Sequence, residues 1–361
     1  MTEEDAPQLS VVVPTYNERE NLAELLERID RALRSSGVRY EVVVVDDDSP
    51  DGTWRLAMEL SMRYPVRVIR RRGRRGLGSA IVEGLRAARG SYVVVMDADL
   101  QHPPELLPRL LMEAERGADV VVATRYAPGG GVEGWSRLRL LASRAAGMFA
   151  HALLPESRRT SDPMSGFWLV RRSLVEGLEL RGESWKVLLE VLARAPGARV
   201  AEVPYVFRRR RRGESKLGPR EMLDYVRDLL RLSEYRVLRF AAVGATGALV
   251  NLAVVAALGG RLPDPVAYAL GWEAGLTWNY LLHDAWTFRG RRREGGLLGR
   301  LRYWLRYHAA AAAGFTVYMA VSWAARLLGA GYLAAPLLGI AAGFVANYLV
   351  SEHRVWRPQG G

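Results

Sequence analysis

The chain has no cysteine, and only two of its 51 basic residues are lysine, Lys186 and Lys216. It also has just five histidines. The absence of cysteine excludes a disulfide scaffold and any Cys-ligated zinc or iron–sulfur centre. The scarcity of lysine leaves 49 arginines, a bias that reflects a GC-rich genome as much as a function. The start, Met1–Gln8, is acidic and runs into a strand pattern, so no cleavable signal peptide is expected. An apolar content of 49% excludes disorder and a collagen-like fibre. The formal charge of +12 leaves nucleic acid, anionic lipid and phosphorylated substrates open as partners.

The apolar residues gather late in the chain. Phe240–Gly260, Tyr307–Ala325 and Leu327–Ser351 carry no charge, and Pro265–His283 carries only Glu273. Each stretch is long enough for a helix to cross a ~30 Å hydrocarbon core, which takes ~20 residues. Arg289–Arg306 holds seven arginines and one glutamate, whereas the stretches near 260–264 and 329–331 hold few charges. The positive-inside rule then predicts four spans with both termini and the 289–306 loop cytosolic. This part also looks duplicated. Asn279-Tyr280-Leu281 precedes Trp286-Thr287-Phe288-Arg289, and Asn347-Tyr348-Leu349 precedes Val355-Trp356-Arg357. Two similar helical hairpins are expected, with these Trp and Tyr residues as interfacial anchors. Glu273 is a candidate functional group because carboxylates are rare inside spans.

Residues 1–205 alternate short β-branched runs with helical patterns. Leu9–Val13, Glu41–Val45, Val66–Ile69, Tyr92–Met96 and Asp119–Ala123 read as strands, with a late one at Val203–Phe207. Leu22–Leu33 and Ser79–Ala88 read as helices between them. Such alternation predicts a largely parallel sheet with helices on both faces and ligands at its carboxyl edge. Pro219–Leu232 is amphipathic and suits either a membrane surface or packing on the sheet. Ser136–Leu154 sets Leu138, Leu141, Ala145, Met148 and Phe149 around Arg139, as an amphipathic helix would.

Three polar clusters follow strands: Pro14-Thr15-Tyr16-Asn17-Glu18, Asp46-Asp47-Asp48-Ser49-Pro50-Asp51-Gly52-Thr53, and Asp97-Ala98-Asp99-Leu100-Gln101. Asp97 and Asp99, with the amide oxygen of Gln101, form a hard oxygen set suited to Mg²⁺ or Mn²⁺. Asp46 and Asp47 are placed to accept from a base edge or a ribose hydroxyl. Arg71, Arg72, Arg74 and Arg75 precede Gly76-Leu77-Gly78 and are candidates for a diphosphate. Arg125 directly follows a strand. Arg208–Arg212 precedes Gly213-Glu214-Ser215-Lys216-Leu217-Gly218, a segment suited to closing over a diphosphate. His102 is the one histidine near the Asp-Ala-Asp triplet.

With these motifs, together with Gly134-Trp135-Ser136 and Asp162-Pro163-Met164-Ser165-Gly166-Phe167, residues 8–220 resemble family 2 glycosyltransferases of GT-A fold. Within them, the likeness is to the dolichyl-phosphate mannose synthases. Residues 236–357 resemble the GtrA-like four-helix membrane family, through Arg239-Phe240, Gly244, Asn251 and Trp286-Thr287-Phe288. The resemblance implies an α/β Rossmann-like GT-A domain over 1–217, an interface helix over 218–235 and an all-α four-helix transmembrane domain over 236–361. It assigns Pro14, Tyr16, Glu18, Val45 and Asp47 to the guanosine of GDP-mannose. It assigns Asp97, Asp99 and Gln101 to the metal, with Ala98 beside the nucleotide. Arg125, Arg210 and Lys216 would contact phosphates, and Arg125, Arg139 and Ser143 the lipid phosphate. Asp48 stands where many relatives carry Gly, which affects the turn there.

The implied reaction is inverting mannosyl transfer from GDP-mannose to dolichyl or another polyprenyl phosphate. A phosphate monoester is already anionic, so no general base is required. Two other readings remain: a polyprenyl-phosphate glucosyl- or aminosugar transferase of the same fold, and a lipid flippase or transporter regulated by a nucleotide sugar. Residues 1–232 hold 38 basic and 33 acidic groups, and residues 233–361 hold 13 and 6. The basic surplus therefore belongs mainly to the membrane part and no longer favours nucleic acid.

Overall fold

The computed structural model describes residues 6–208, 219–288 and 296–350. The chain divides into two compact units, Met1–Leu232 and Ser233–Gly361.

The first unit is built on strands β1 (Leu9–Thr15), β2 (Tyr40–Asp46), β3 (Val66–Arg70), β4 (Tyr92–Val95), β5 (Val120–Thr124), β7 (Trp168–Arg171) and β8 (Val200–Pro204). They form one sheet in the order β3-β2-β1-β4-β7-β5-β8. All pairings are parallel except those of β7, which runs antiparallel between β4 and β5. A separate pair joins β6 (Gly131–Val132) to β9 (Val206–Phe207). The inner strands are near-continuous valine runs because both sheet faces are covered. On one face lie α1 (Arg19–Arg34) and α4 (Leu107–Glu115), whose Leu22, Leu26, Ile29 and Leu110 join Val11, Val13 and Val44. On the other lie α3 (Leu77–Ala87) and α7 (Val187–Arg194), packing Ile81, Leu85 and Leu188 on Val12, Val43 and Val95. The remaining helices of the unit are α2 (Thr53–Leu60), α5 (Arg137–Leu153), α6 (Arg172–Glu176) and α8 (Pro219–Leu232).

Two features depart from the expected strands. β7 is four residues long and ends in an arginine, so its sequence carries no strong strand signal. The expected late strand at 203–207 is two strands in two sheets, β8 and β9, separated at the buried Tyr205.

α8 packs on helices α5 and α7 of the first unit rather than directly on the sheet. Leu229 and Tyr225 are buried, and the Tyr225 hydroxyl donates to Ala146 O on α5 (2.7 Å). Met222 and Leu223 are exposed, as are Leu138, Leu141 and Met148 on α5. The two helices thus pair while leaving apolar side chains uncovered.

The second unit consists of α9 (Arg236–Leu258), α10 (Asp264–Leu282), α11 (Gly296–Leu327) and α12 (Ala334–Val350). Among the described residues, α9 alone is long and apolar enough to pass as a membrane span by itself. α9 packs along α10 and α11 along α12, the two hairpins expected from the duplication. Glycines bring the helices together: a Cβ at Gly275 would lie 2.7 Å from Gly247 O, and one at Gly339 2.7 Å from Tyr318 O. One expectation shifts: the last helix begins at Ala334 rather than Leu327, after a turn at Gly329, whose φ is +91°. Tyr280 and Tyr348 are buried against Tyr307 and Phe240, whereas Trp286 is exposed. Glu273 is held by Thr277 and by His308 Nε2 (both 3.0 Å).

Candidate active site

The sheet brings the three sequence clusters to one edge. β1, β2 and β4 are parallel neighbours, so the segments after them emerge side by side. Each of these segments contains a non-glycine residue in the left-handed region: Asn17 (φ 60°), Asp48 (φ 57°) and Leu100 (φ 61°). Asn and Asp tolerate this region, but a leucine there is strained, as segments held for ligand contact often are. Asp48 thus adopts a φ that glycine favours.

Asp97 lies two residues beyond β4. Its backbone N–H donates to His102 Nδ1 (3.1 Å), and Asp99 Oδ1 accepts the N–H of Gln101 (3.1 Å). Gln101 Nε2 donates to Arg208 O (2.9 Å). That fixes its amide and leaves the side-chain oxygen as the acceptor end. Two carboxylates and an amide oxygen on one turn fit a hard divalent cation that completes its shell with substrate phosphate oxygens. Among the described residues, no group of three His, Cys, Asp or Glu side chains is placed to hold a metal ion, so the set here consists of two carboxylates and an amide oxygen.

His102 is buried and stacked on Phe167 (5.1 Å). Burial, reinforced by the cations Arg125 and Lys186, lowers its pKa. With Nδ1 accepting from a backbone N–H, its role is to hold Asp97 and not to act as a base.

Arg125 follows β5 and is clamped by Asp162. Its Nε and one terminal NH2 donate to the two Asp162 carboxylate oxygens (2.7 Å each), and its backbone N–H donates to Oδ2 (3.1 Å). Burial by itself would lower the guanidinium pKa, but the Asp162 bonds outweigh it and raise the value. Trp135 lies between two arginines, with its ring 5.4 Å from Arg125 and 4.4 Å from Arg139. Tyr126 donates to Ser143 Oγ (2.7 Å), and Arg144 lies over the Tyr126 ring at 5.8 Å. Arg125, Arg139 and Ser143 are therefore gathered around the N-terminal half of α5, with Arg144 as an addition that sequence reading missed. The helix itself is capped by Ser136 Oγ, which accepts from Arg139 N.

On the other side of the edge, Tyr16 lies under the Arg75 guanidinium (5.0 Å). Glu18 accepts from Asn21 (2.7 Å), and its backbone N–H donates to Thr53 Oγ1 (3.0 Å). Asp47 accepts the N–H of Gly76 (2.8 Å) and pairs with buried Arg71 (2.9 Å). Burial raises the Asp47 pKa, with Gly76 and Arg71 opposing. Arg71 is consequently a loop anchor and not an available diphosphate ligand. Pro14 and Val45 face each other in the β1–β2 register, and both are buried, as is Ala98. The Val45 side chain points towards Gly84 of α3, so its contribution to a ligand would be backbone. Arg210 and Lys216 lie outside the described residues.

The antiparallel β7 adds what the sequence did not reveal. Trp168 is in register with Val95 of β4 and Val122 of β5, so residues 162–167 emerge at the same edge as Asp97 and Arg125. Behind them, Lys186 Nζ donates to Met164 O (2.6 Å). Burial and the nearby Arg125 bring the Lys186 pKa down to about 8, against the pull of Asp97 and Asp162.

The 182–186 segment lies tightly on the start of α3. A Cβ at Gly78 would fall 1.9 Å from Ser184 O. Gly78→Ala is expected to lower stability by about 1–3 kcal/mol, since backbone has to move. Thermal denaturation measures this, and an unchanged midpoint would refute the close approach.

A sheet with an Asp-x-Asp turn at its carboxyl edge, joined to a helical unit, defines the class. Residues 10–178 match glycosyl transferase family 2, and residues 239–356 match the GtrA/DPMS transmembrane domain. The protein is a family 2 glycosyltransferase of GT-A type with a membrane domain. It is 44% identical over 97% of its length to a dolichol-phosphate mannosyltransferase of Pyrococcus furiosus, covering 99% of that protein. It is 37% identical to the Saccharomyces cerevisiae dolichol-phosphate mannosyltransferase over 65% of this chain and 89% of that one. The chain belongs to the dolichol-phosphate mannosyltransferase family. A solved mycobacterial protein shares the fold at 24% identity and a TM-score of 0.50, over 63% of this chain and 75% of that one.

Proposed function

We propose that the protein transfers mannose from GDP-mannose to dolichyl or another polyprenyl phosphate, with inversion at the anomeric carbon. The observation that carries this is the Arg125–Trp135–Arg139 stack at the same sheet edge as Asp97, Asp99 and Gln101. A cationic, aromatic-backed cluster on an apolar helix suits a lipid phosphate, and an oxygen-rich turn suits a metal-bound nucleoside diphosphate.

Asp97, Asp99 and Gln101 hold Mg²⁺ or Mn²⁺ in this reading. When bound, the ion supplies Lewis-acid neutralisation of the leaving diphosphate. Tyr16, Glu18 and Asp47, with backbone at Pro14, Val45 and Ala98, border the nucleoside, and Arg210 and Lys216 reach its phosphates. Arg125, fixed by Asp162, and Arg139 orient the acceptor monoester, whose oxygen displaces the diphosphate from the face opposite the leaving group. Catalysis comes from positioning and charge stabilisation, and no proton has to be removed.

The exposed apolar residues of α5 and α8 (Leu138, Leu141, Met148, Met222, Leu223) seat the first unit on the bilayer. Four spans, with the catalytic domain (1–217), interface helix (218–235) and both termini cytosolic, follow from the arginines of 289–306.

A panel of radiolabelled nucleotide sugars with a short polyprenyl phosphate and Mg²⁺ or Mn²⁺ tests the donor. Mannosyl lipid from GDP-mannose is expected. Preference for a glucose or aminosugar donor, or nucleotide binding without product, rejects the reading. Arg139→Ala is expected to raise the acceptor KM about tenfold, the loss of one charged hydrogen bond. GDP titration should be unaffected. An equal loss in nucleotide affinity would remove Arg139 from the acceptor site.

A further inference from the structure

We propose that Lys186 is a positioning residue of the transfer reaction: its ammonium pins residues 162–167 and thereby sets Arg125 and Asp97 relative to each other. This rests on the activity proposed above.

Residues 162–167 touch both halves of the site. At one end Asp162 holds the Arg125 side chain with two bonds and its backbone with a third. At the other end, Gly166 packs on the Asp97 side chain. A Cβ there would lie 3.2 Å from Asp97 Oδ2 and 3.3 Å from His102 Cε1. Phe167 stacks on His102, which in turn accepts the Asp97 N–H. Between the two ends, the Met164 carbonyl takes the Lys186 ammonium at 2.6 Å. Lys186 is itself held from behind. Its N–H donates to Ser184 Oγ (3.0 Å), and the Ser184 carbonyl lies where a side chain on Gly78 would sit. The lysine thus clasps the reacting edge to the α3 side of the sheet.

The choice of residue supports a specific role. This chain uses arginine at 49 of its 51 basic positions. Lysine persists at 186 and at 216, the latter a phosphate contact in the proposed reaction. A compact ammonium places its charge on one carbonyl, whereas a planar guanidinium directs its donors along a fixed fork and misses that alignment. A misplacement of about 1 Å in a reacting group costs on the order of 10²-fold in rate.

The test uses the full-length protein in detergent or vesicles with GDP-mannose and a short polyprenyl phosphate. For both Lys186→Met and Lys186→Arg, kcat is expected to fall about 10²-fold. Donor KM and GDP affinity should stay within about threefold and the unfolding midpoint near wild type. A structural role alone would lower the midpoint and let the charge-retaining arginine restore turnover. The proposal is overturned if either variant keeps kcat within threefold of wild type. It is also overturned if GDP affinity falls together with kcat, which would make Lys186 a nucleotide contact. Where Lys186→Met does not fold, Lys186→Arg decides. Absence of mannosyl lipid from the wild-type protein would instead reject the donor and acceptor assignment.

Discussion

Asp99→Ala is expected to abolish detectable transfer, a drop of about 10³-fold or more, equivalent to about 4 kcal/mol of lost transition-state stabilisation. Asp99 is buried, and its Oδ1 accepts the N–H of Gln101 across the strained Leu100. Removing the carboxylate therefore takes away one oxygen of the proposed metal set and loosens another. The fold should survive, because the change shortens a side chain at the end of the sheet and leaves the strand register intact. The measurement is mannosyl transfer alongside a thermal melt and a membrane-fraction assay. Normal insertion with no turnover is the expected result. Full activity would remove Asp99 from the metal site.

Asp162→Asn is expected to cost both stability and turnover. The Asp162 side chain is fully buried, and that of Arg125 nearly so. Breaking a buried pair from one side leaves an uncompensated charge, at about 3–5 kcal/mol. An asparagine amide offers one acceptor oxygen in place of two and turns an N–H₂ toward the guanidinium. Arg125 then loses its fixed direction between Trp135 and Phe207, and transfer should fall about 10²-fold. A thermal melt and steady-state kinetics check the two effects. A variant with wild-type stability and rate would show that the clamp has no part in orienting Arg125.

These two residues also mark what could be read from sequence. Asp99 was legible because it follows a valine run and sits in a two-carboxylate spacing. The same holds for the clusters after β1 and β2, since short parallel strands with polar ends are a local pattern. Asp162 stood in a recognised motif, but nothing local assigned it a partner 37 residues away. That pairing depends on β7 running antiparallel, and β7 shows only Trp-Leu-Val-Arg. Lys186 was hidden for the same reason: its target, Met164 O, reaches the edge only through β7. Arg71 misled in the opposite direction. A basic run before glycines suggests an anion site, yet one arginine of the run is consumed by Asp47. The partners of Tyr280 and Tyr348, the rings of Tyr307 and Phe240, are likewise set by helix packing and not by local pattern.

The most direct test of the central claim is the stereochemistry and structure of the product. Full-length protein in lipid, given GDP-mannose, Mg²⁺ and a short polyprenyl phosphate, should yield one mannosyl phospholipid. Direct displacement at the α-linked donor predicts a β-mannosyl linkage to the lipid phosphate, read from the anomeric coupling by NMR. An α-linked product, or a sugar transferred to any group other than the lipid phosphate, would contradict it.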